Sequence, residues 1–201
     1  AANAGQAYLF LGKANGWAMD TSLSQSDASF QGEDTIDFAG SSVSICGDVN
    51  GDGFDDILIG AYFDEDVNGA EAGQVYLIFG KASGWANNVS LSQANASFVG
   101  EGTSDWAGYS AVIAGDVNGD GLDDILIGAQ REGVIASGQS YLIFGKKAGW
   151  AMHTNLANSD ASFIGEGFTA FSGWCVNGAG DVNGDGYDDL VMGNRDGGSD
   201  F

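Results

Sequence analysis

The chain has 201 residues, and its 28 acidic against 6 basic side chains give a formal charge of −22, which argues against nucleic acid or an anionic membrane as an electrostatic partner. Hydrophobic residues make up 44%, enough for a buried core, and no apolar run approaches the roughly 18 residues of a membrane span. With 34 glycines, no proline and short apolar runs between Gly, Asn and Asp turns, the composition favours an all-β array over helices.

In chain order, residues 1–33 carry three landmarks: a Gly-Gln-x-Tyr-Leu string at Gly5, a Gly-Trp pair at Trp17 and a Ser-Phe-x-Gly-Glu string around Phe30. The same landmarks return at Gly73, Trp85 and Phe98, and again at Gly138, Trp150 and Phe163, so the sequence is periodic along its whole length. Residues 34–101 predict four short strands: one at Ser42–Ile45, a second at 57–59, a third at 74–79 and a fourth at 96–99, each rich in β-branched or aromatic residues. Strands two and three are nearly continuous apolar runs, as in sheets covered on both faces. Residues 102–166 repeat the unit, and residues 167–201 hold strands one and two only, whereas residues 1–33 hold strands three and four. A tandem four-stranded unit that cannot bury both faces alone predicts β-propeller blades: three blade equivalents of four antiparallel strands, one of them split between the termini.

Three blades are too few for a conventional closed ring. Either the chain is an excerpt of a longer repeat protein, or copies complete each other's split blade head to tail and run on into a ring or a filament.

Between strands one and two lies a ten-residue string, Gly-Asp-Val-Asn-Gly-Asp-Gly-x-Asp-Asp. It runs from Gly47 to Asp56, from Gly115 to Asp124 and from Gly180 to Asp189. Oxygen donors fall on alternate positions: the side chains of Asp48, Asn50 and Asp52, the backbone carbonyl of Phe54, and Asp56. The second set is Asp116, Asn118, Asp120, Leu122 and Asp124, and the third is Asp181, Asn183, Asp185, Tyr187 and Asp189. A tight turn at the Gly-Asp-Gly points alternate side chains inward, and an all-oxygen set suits calcium over transition metals, with three sites expected. An EF-hand is excluded, because it needs a bidentate Glu at position twelve between helices, where this chain has Ile59, Ile127 and Met192 inside apolar strands.

Asp-x-Asn-x-Asp-Gly-x-x-Asp between two strands of such a period resembles the FG-GAP repeats of the integrin α-subunit propeller and of related extracellular proteins, including bacterial ones. The "GAP" element stands as Gly60-Ala61-Tyr62, Gly128-Ala129-Gln130 and Gly193-Asn194-Arg195, without its proline; the "FG" element stands as Phe38-Ala39-Gly40, Trp106-Ala107-Gly108 and Phe171-Ser172-Gly173, with an insertion. The resemblance implies calcium in the loops, an extracellular or cell-surface place and a structural or adhesive role. It also implies that the loops share one face of the propeller, opposite the connections from strand two to three and from four to one.

That opposite face would carry Tyr62, Phe63, Asp64, Glu65 and Asp66, with Arg131 and the aromatics Trp106, Tyr109, Phe171 and Trp174. They could receive a glycan or a protein partner, or simply pack between blades. No catalytic constellation is legible: the single histidine, His153, sits in a polar stretch, and the aspartates with the clearest role are committed to metal. A role as an accessory domain of a larger secreted protein or enzyme stays open. Cys46 reads as a small buried residue, in the place of Ala114 and Ala179, and Cys175 is too far along the repeat to pair with it.

Overall fold

The computed structural model describes residues 3–45, 47–65, 68–131, 137–166 and 170–195, so Cys46 and Asp66 lie outside it. The described residues form β1 (Gln6–Leu9), β2 (Ala28–Gln31), β3 (Ser42–Ile45), β4 (Ile57–Ala61), β5 (Gln74–Ile78), β6 (Val89–Ser90) and β7 (Ala96–Val99). They continue with β8 (Ala107–Gly115), β9 (Asp124–Ala129), β10 (Gln139–Ile143), β11 (Thr154–Asn155), β12 (Ala161–Ile164), β13 (Ser172–Gly180) and β14 (Asp189–Asn194). Three single turns of 3-10 helix at Leu23–Gln25, Leu91–Gln93 and Leu156–Asn158 are the only helical elements among the described residues. The protein is all-β.

Strands β3, β4, β5 and β7 make one antiparallel meander, the first blade, and β8, β9, β10 and β12 make the second. β1 pairs with β2 as an N-terminal half-blade, and β13 with β14 as a C-terminal one. Register repeats with the sequence: Tyr76 faces Ile59 across β5 and β4, and Tyr141 faces Ile127 across β10 and β9. The second strand runs on to Ala61, two residues beyond its predicted end, and the third stops at Ile78.

One feature was not predicted. The two-residue β6 adds in parallel to β2 of the preceding unit, and β11 adds in parallel to β7. Here the segments after the Gly-Trp pairs at Trp85 and Trp150 run along the outer edge of the unit before. Edge amides gain partners as a result: Ser29 N–H donates to the Ala86 carbonyl (3.2 Å) and Ser97 N–H to that of Ala151 (3.1 Å). A sheet edge is thereby covered, and consecutive units are tied together.

The core lies between units. Because β4 alternates, Ile57 and Ile59 face the N-terminal half-blade and pack with Ala7, Ala28 and Phe30, while Leu58 faces the second blade with Val75, Leu77 and Phe98. The second blade answers with Ala107, Ala111, Ile125 and Ile127, and on its far side Leu126 and Leu142 meet Val176 of the C-terminal half-blade. Burial on both faces explains the unbroken apolar runs of β4, β5, β9 and β10.

The FG and GAP glycines mark where units approach most closely. A side chain on Gly60 would meet the Gly108 carbonyl oxygen at 2.1 Å, and one on Gly128 would meet that of Gly173 at the same distance. Only glycine lets the backbones of neighbouring blades touch there. Two residues before each FG glycine, Phe38, Trp106 and Phe171 adopt a left-handed backbone, with φ between 49° and 59°. Such a conformation is uncommon for aromatic residues, and here it recurs at three equivalent positions.

Candidate metal loops and the aromatic face

Each Asp-Asn-Asp string forms a tight loop held by its own amides. Asp48 Oδ1 accepts from the N–H groups of Gly51 (2.7 Å) and Asp52 (3.1 Å), and Oδ2 from Gly53 (2.7 Å). Asn50 Oδ1 accepts from Asp52 N–H and Asp52 Oδ1 from Phe54 N–H. Asp116, Asn118 and Asp120 repeat this pattern with Leu122, and Asp181, Asn183 and Asp185 repeat it with Tyr187. The turn needs its glycines: Gly51, Gly53 and their counterparts Gly119, Gly121, Gly184 and Gly186 all have φ between 75° and 93°.

The closing aspartate is placed differently. Asp56 is fully buried, its Oδ2 accepting from Val49 N–H (3.0 Å) and its Oδ1 from Gly80 N–H (2.8 Å), the amide just past β5. Asp124 makes the same two bonds, to Val117 (3.0 Å) and Gly145 (2.8 Å). Asp189 keeps the first, from Val182 N–H (2.9 Å). The second has no counterpart among the described residues.

Adjacent loops are stapled. Asp123, one residue before the closing aspartate of the second loop, accepts from Asp48 N–H at 2.7 Å and donates its own N–H to the Asp48 carbonyl at 3.2 Å. Asp188 binds Asp116 in the same two ways, at 3.0 and 3.1 Å. Lys146 N–H adds a bond to the Val49 carbonyl (2.9 Å). Side chains at position seven join in, since a Cβ on Gly51 would strike Leu122 and one on Gly119 would strike Tyr187. Position seven enters the sequence analysis only as a backbone carbonyl, and the penultimate aspartate has no role there. The signal was available, because Asp55, Asp123 and Asp188 occupy that place in every copy.

Among the described residues no three His, Cys, Asp or Glu side chains are already gathered around one point, since the carboxylates are turned onto loop amides. The donor set nonetheless suits a hard cation: it is all oxygen, and carboxylate oxygens keep spare lone pairs beyond one amide contact. Burial pushes the Asp56 and Asp124 carboxyls up to about 6 against the lowering pull of their amide partners, and the nearby charges of Asp52 and Asp48, or Asp120 and Asp116, raise them further. A cation in the loop would relieve both effects. In the exposed third loop Asp181 is held below the usual range, chiefly by the Gly186 amide.

On the opposite face, aromatic rings form one connected strip. Phe38 stacks on Tyr62 at 5.8 Å, Tyr62 meets Trp106 and Tyr109 at 5.5 and 5.3 Å, and Tyr109 meets Trp174 at 4.9 Å. Arg131 lies 4.5 Å over Trp106, and Arg195 lies over Trp174 and Phe171 at 4.8 and 5.8 Å. Asp64 does not belong to this surface: it is buried and accepts from the Tyr76 hydroxyl at 2.8 Å.

The FG-GAP repeat model matches residues 39–78 and 107–143, the two segments that hold the first and second loops. These are FG-GAP repeats. Mouse integrin alpha-IIb is 32% identical over 168 residues, covering 81% of this chain, and Drosophila melanogaster integrin alpha-PS2 is 31% identical over 151 residues, covering 73%. Human integrin alpha-6 is 30% identical over 167 residues, covering 82%. The FG-GAP chain spans 15%, 11% and 13% of the length of these three relatives.

Proposed function

We propose that this chain is a calcium-binding, non-catalytic propeller segment of an extracellular protein, with a structural or adhesive role. The observation that carries the reading is the loop itself: three copies of one oxygen-rich turn, two of them with a closing carboxylate buried beside like charges. Its kinship with the propeller region of integrin α chains supports the extracellular and adhesive part. His153, the single histidine, is exposed in a turn with its N–H donated to Ser97 Oγ, which favours a structural place for it.

The test is stoichiometry with stability. Calorimetric titration should find calcium bound at the loops, and Asp52→Ala, Asp120→Ala and Asp185→Ala should each remove one equivalent. For a Kd near 10 μM, 1 mM calcium stabilises by about 2.7 kcal/mol per site, so excess chelator should lower the melting temperature markedly. An unchanged melting curve in chelator would sink the structural role of calcium.

Beside the reading as a segment of a longer repeat array stands its alternative, self-association head to tail, the C-terminal half-blade of one copy completing the N-terminal half-blade of the next. Support comes from matched exposure. Leu91 and Leu156 are 0% and 1% exposed because they pack with Phe30 and Phe98 of the preceding unit, whereas their counterpart Leu23 is 55% exposed. At the other end Phe163, counterpart of Phe98, is the exposed ring that Leu23 would cover. Val191, counterpart of the buried Leu58 and Leu126, is exposed, and the apolar groove lined by Ala7, Leu9, Val43, Ile45, Ile57 and Ile59 sits where it would fit. Such a contact is heterologous and gives a ring if the rotation closes, or a filament if it does not. Sedimentation in millimolar calcium should show a concentration-dependent species larger than one chain.

A second reading, recognition of a glycan or protein, is favoured by the aromatic strip with its two arginines in a strongly acidic chain. Glycan-array binding lost on Trp106→Ala with an unchanged melting temperature would support it.

A further inference from the structure

Resting on the calcium reading just proposed, we infer that consecutive ion sites are linked through Asp123 and Asp188, so that a cation in one loop raises the affinity of the loop beside it. Each of these aspartates engages both backbone groups of a donor residue in the preceding loop. The Asp123 carboxylate accepts from Asp48 N–H at 2.7 Å while its own N–H donates to the Asp48 carbonyl at 3.2 Å, and Asp188 holds Asp116 likewise at 3.0 and 3.1 Å. Asp48 and Asp116 stand at position one of their loops. Asp124 and Asp189, the residues directly after Asp123 and Asp188, stand at position nine of theirs. Between the first donor of one site and the last donor of the next there is therefore one peptide bond and a pair of hydrogen bonds, with no unconstrained residue in the path.

A second route runs beside the first. Gly145 N–H donates to Asp124 Oδ1 (2.8 Å), the next amide, that of Lys146, donates to the Val49 carbonyl (2.9 Å), and Val49 N–H donates to Asp56 Oδ2 (3.0 Å). The closing carboxylates of the first and second sites are thus joined through Val49 and the Gly145-Lys146 pair. The glycine that opens the string makes room for the bridge: a Cβ on Gly47 would meet Asp123 Oδ2 at 2.9 Å, and one on Gly115 would strike the Asp188 carboxylate. Gly47 and Gly115 therefore serve a neighbouring loop as well as their own.

The sign of the coupling follows from order and charge. A cation that orders the second loop fixes the Asp123-Asp124 backbone, and with it both partners of Asp48. Part of the ordering that the first site needs is then already made, and the next ion binds more tightly. Neither Asp123 nor Asp188 is among the five donors of its loop, so each carboxylate keeps its charge beside two loops that gain divalent cations and opposes their mutual repulsion. Linkage makes the effect equal in both directions. One hydrogen bond to a charged group corresponds to a factor of about tenfold or more.

The test uses the whole chain with its third site disabled by Asp185→Ala, so that calorimetric calcium titration reads the first and second sites alone. Adding Asp120→Ala leaves the first site, and adding Asp52→Ala instead leaves the second. The product of the two stepwise association constants of the two-site chain should exceed the product of the single-site constants by about tenfold or more. Asp123→Ala removes no donor, so it should keep the calcium stoichiometry and abolish the excess. Asp55→Ala, the same change at the equivalent place of the first loop, touches neither bridge and should preserve it. Hydrogen exchange at the Asp48 amide reads the link with Asp123 intact: in the Asp52→Ala/Asp185→Ala chain, calcium in the second loop should slow it. Equal products, an excess that survives Asp123→Ala, or an Asp48 amide indifferent to calcium would each overturn the inference while leaving calcium at the loops. Binding of no calcium at any loop would instead strike down the calcium reading itself, and the inference with it.

Discussion

The first and third loops share one string apart from position seven, and they make one hydrogen-bonded turn: equivalent amide bonds to Asp48 and Asp181 differ by at most 0.2 Å. Their surroundings diverge completely. The first is roofed by Leu122, stapled by Asp123 and closed by a buried Asp56, while the third stands open to water. Shape in these loops is therefore local, encoded by ten residues, but environment is supplied by the unit that follows. The same contrast holds along the outer strands of the second and first blades, where Phe163 is exposed and its counterpart Phe98 is buried.

Paired substitutions can break that comparison. The largest difference is expected at the phenylalanines. Phe98→Ala should cost about 3–5 kcal/mol in denaturant unfolding, as for a buried ring, whereas Phe163→Ala, already 37% exposed, should cost much less in dilute chain. Equal costs would mean that the outer strand of the second blade is covered in the single copy. Next comes close approach between blades. Gly128→Ala should destabilise by about 1–3 kcal/mol or more because the Gly173 backbone must move, while Gly193→Ala should stay within about 0.5 kcal/mol when chains are dilute.

A further handle on the comparison is pH. The Asp56 and Asp124 carboxyls have folded values of about 6, above the roughly 3.9 of an unfolded aspartate, so the metal-free fold binds protons more tightly than the unfolded chain. Their contribution to its stability should thus be fully present below about pH 4, be lost as pH rises through 4 to 6, and level off near 7. In calcium the slope should reverse, since protons compete with the cation for the same oxygens. Melting temperatures at pH 4.5 and 7.5, with calcium and with chelator, check this; Asp56→Asn should flatten part of the metal-free slope.

What was legible in the sequence was whatever repeats with an unmistakable chemistry. Asp48, Asn50 and Asp52 announce a tight oxygen-lined turn, and the apolar runs around Leu58 and Leu77 announce strands buried on both sides. Less legible were features whose partner sits in another repeat. Val89-Ser90 and Thr154-Asn155 are two-residue strands with no periodicity to detect, formed only because the preceding outer edge lies alongside. Asp123 looks like one more acidic residue of its own loop until the neighbouring Asp48 amide is seen to need it. The left-handed backbone at Phe38, Trp106 and Phe171 defies local preference, so the residue types do not announce it.

The staples run in one direction only, each later aspartate reaching back to an earlier one. During synthesis this imposes a sequence of events. Asp48 gains its staple only after the chain has been made past Asp123, and Asp116 only after it has passed Asp188, so each loop matures one repeat behind the ribosome. A nascent array of such units would set progressively from its first blade onward, always with one soft site at its growing end.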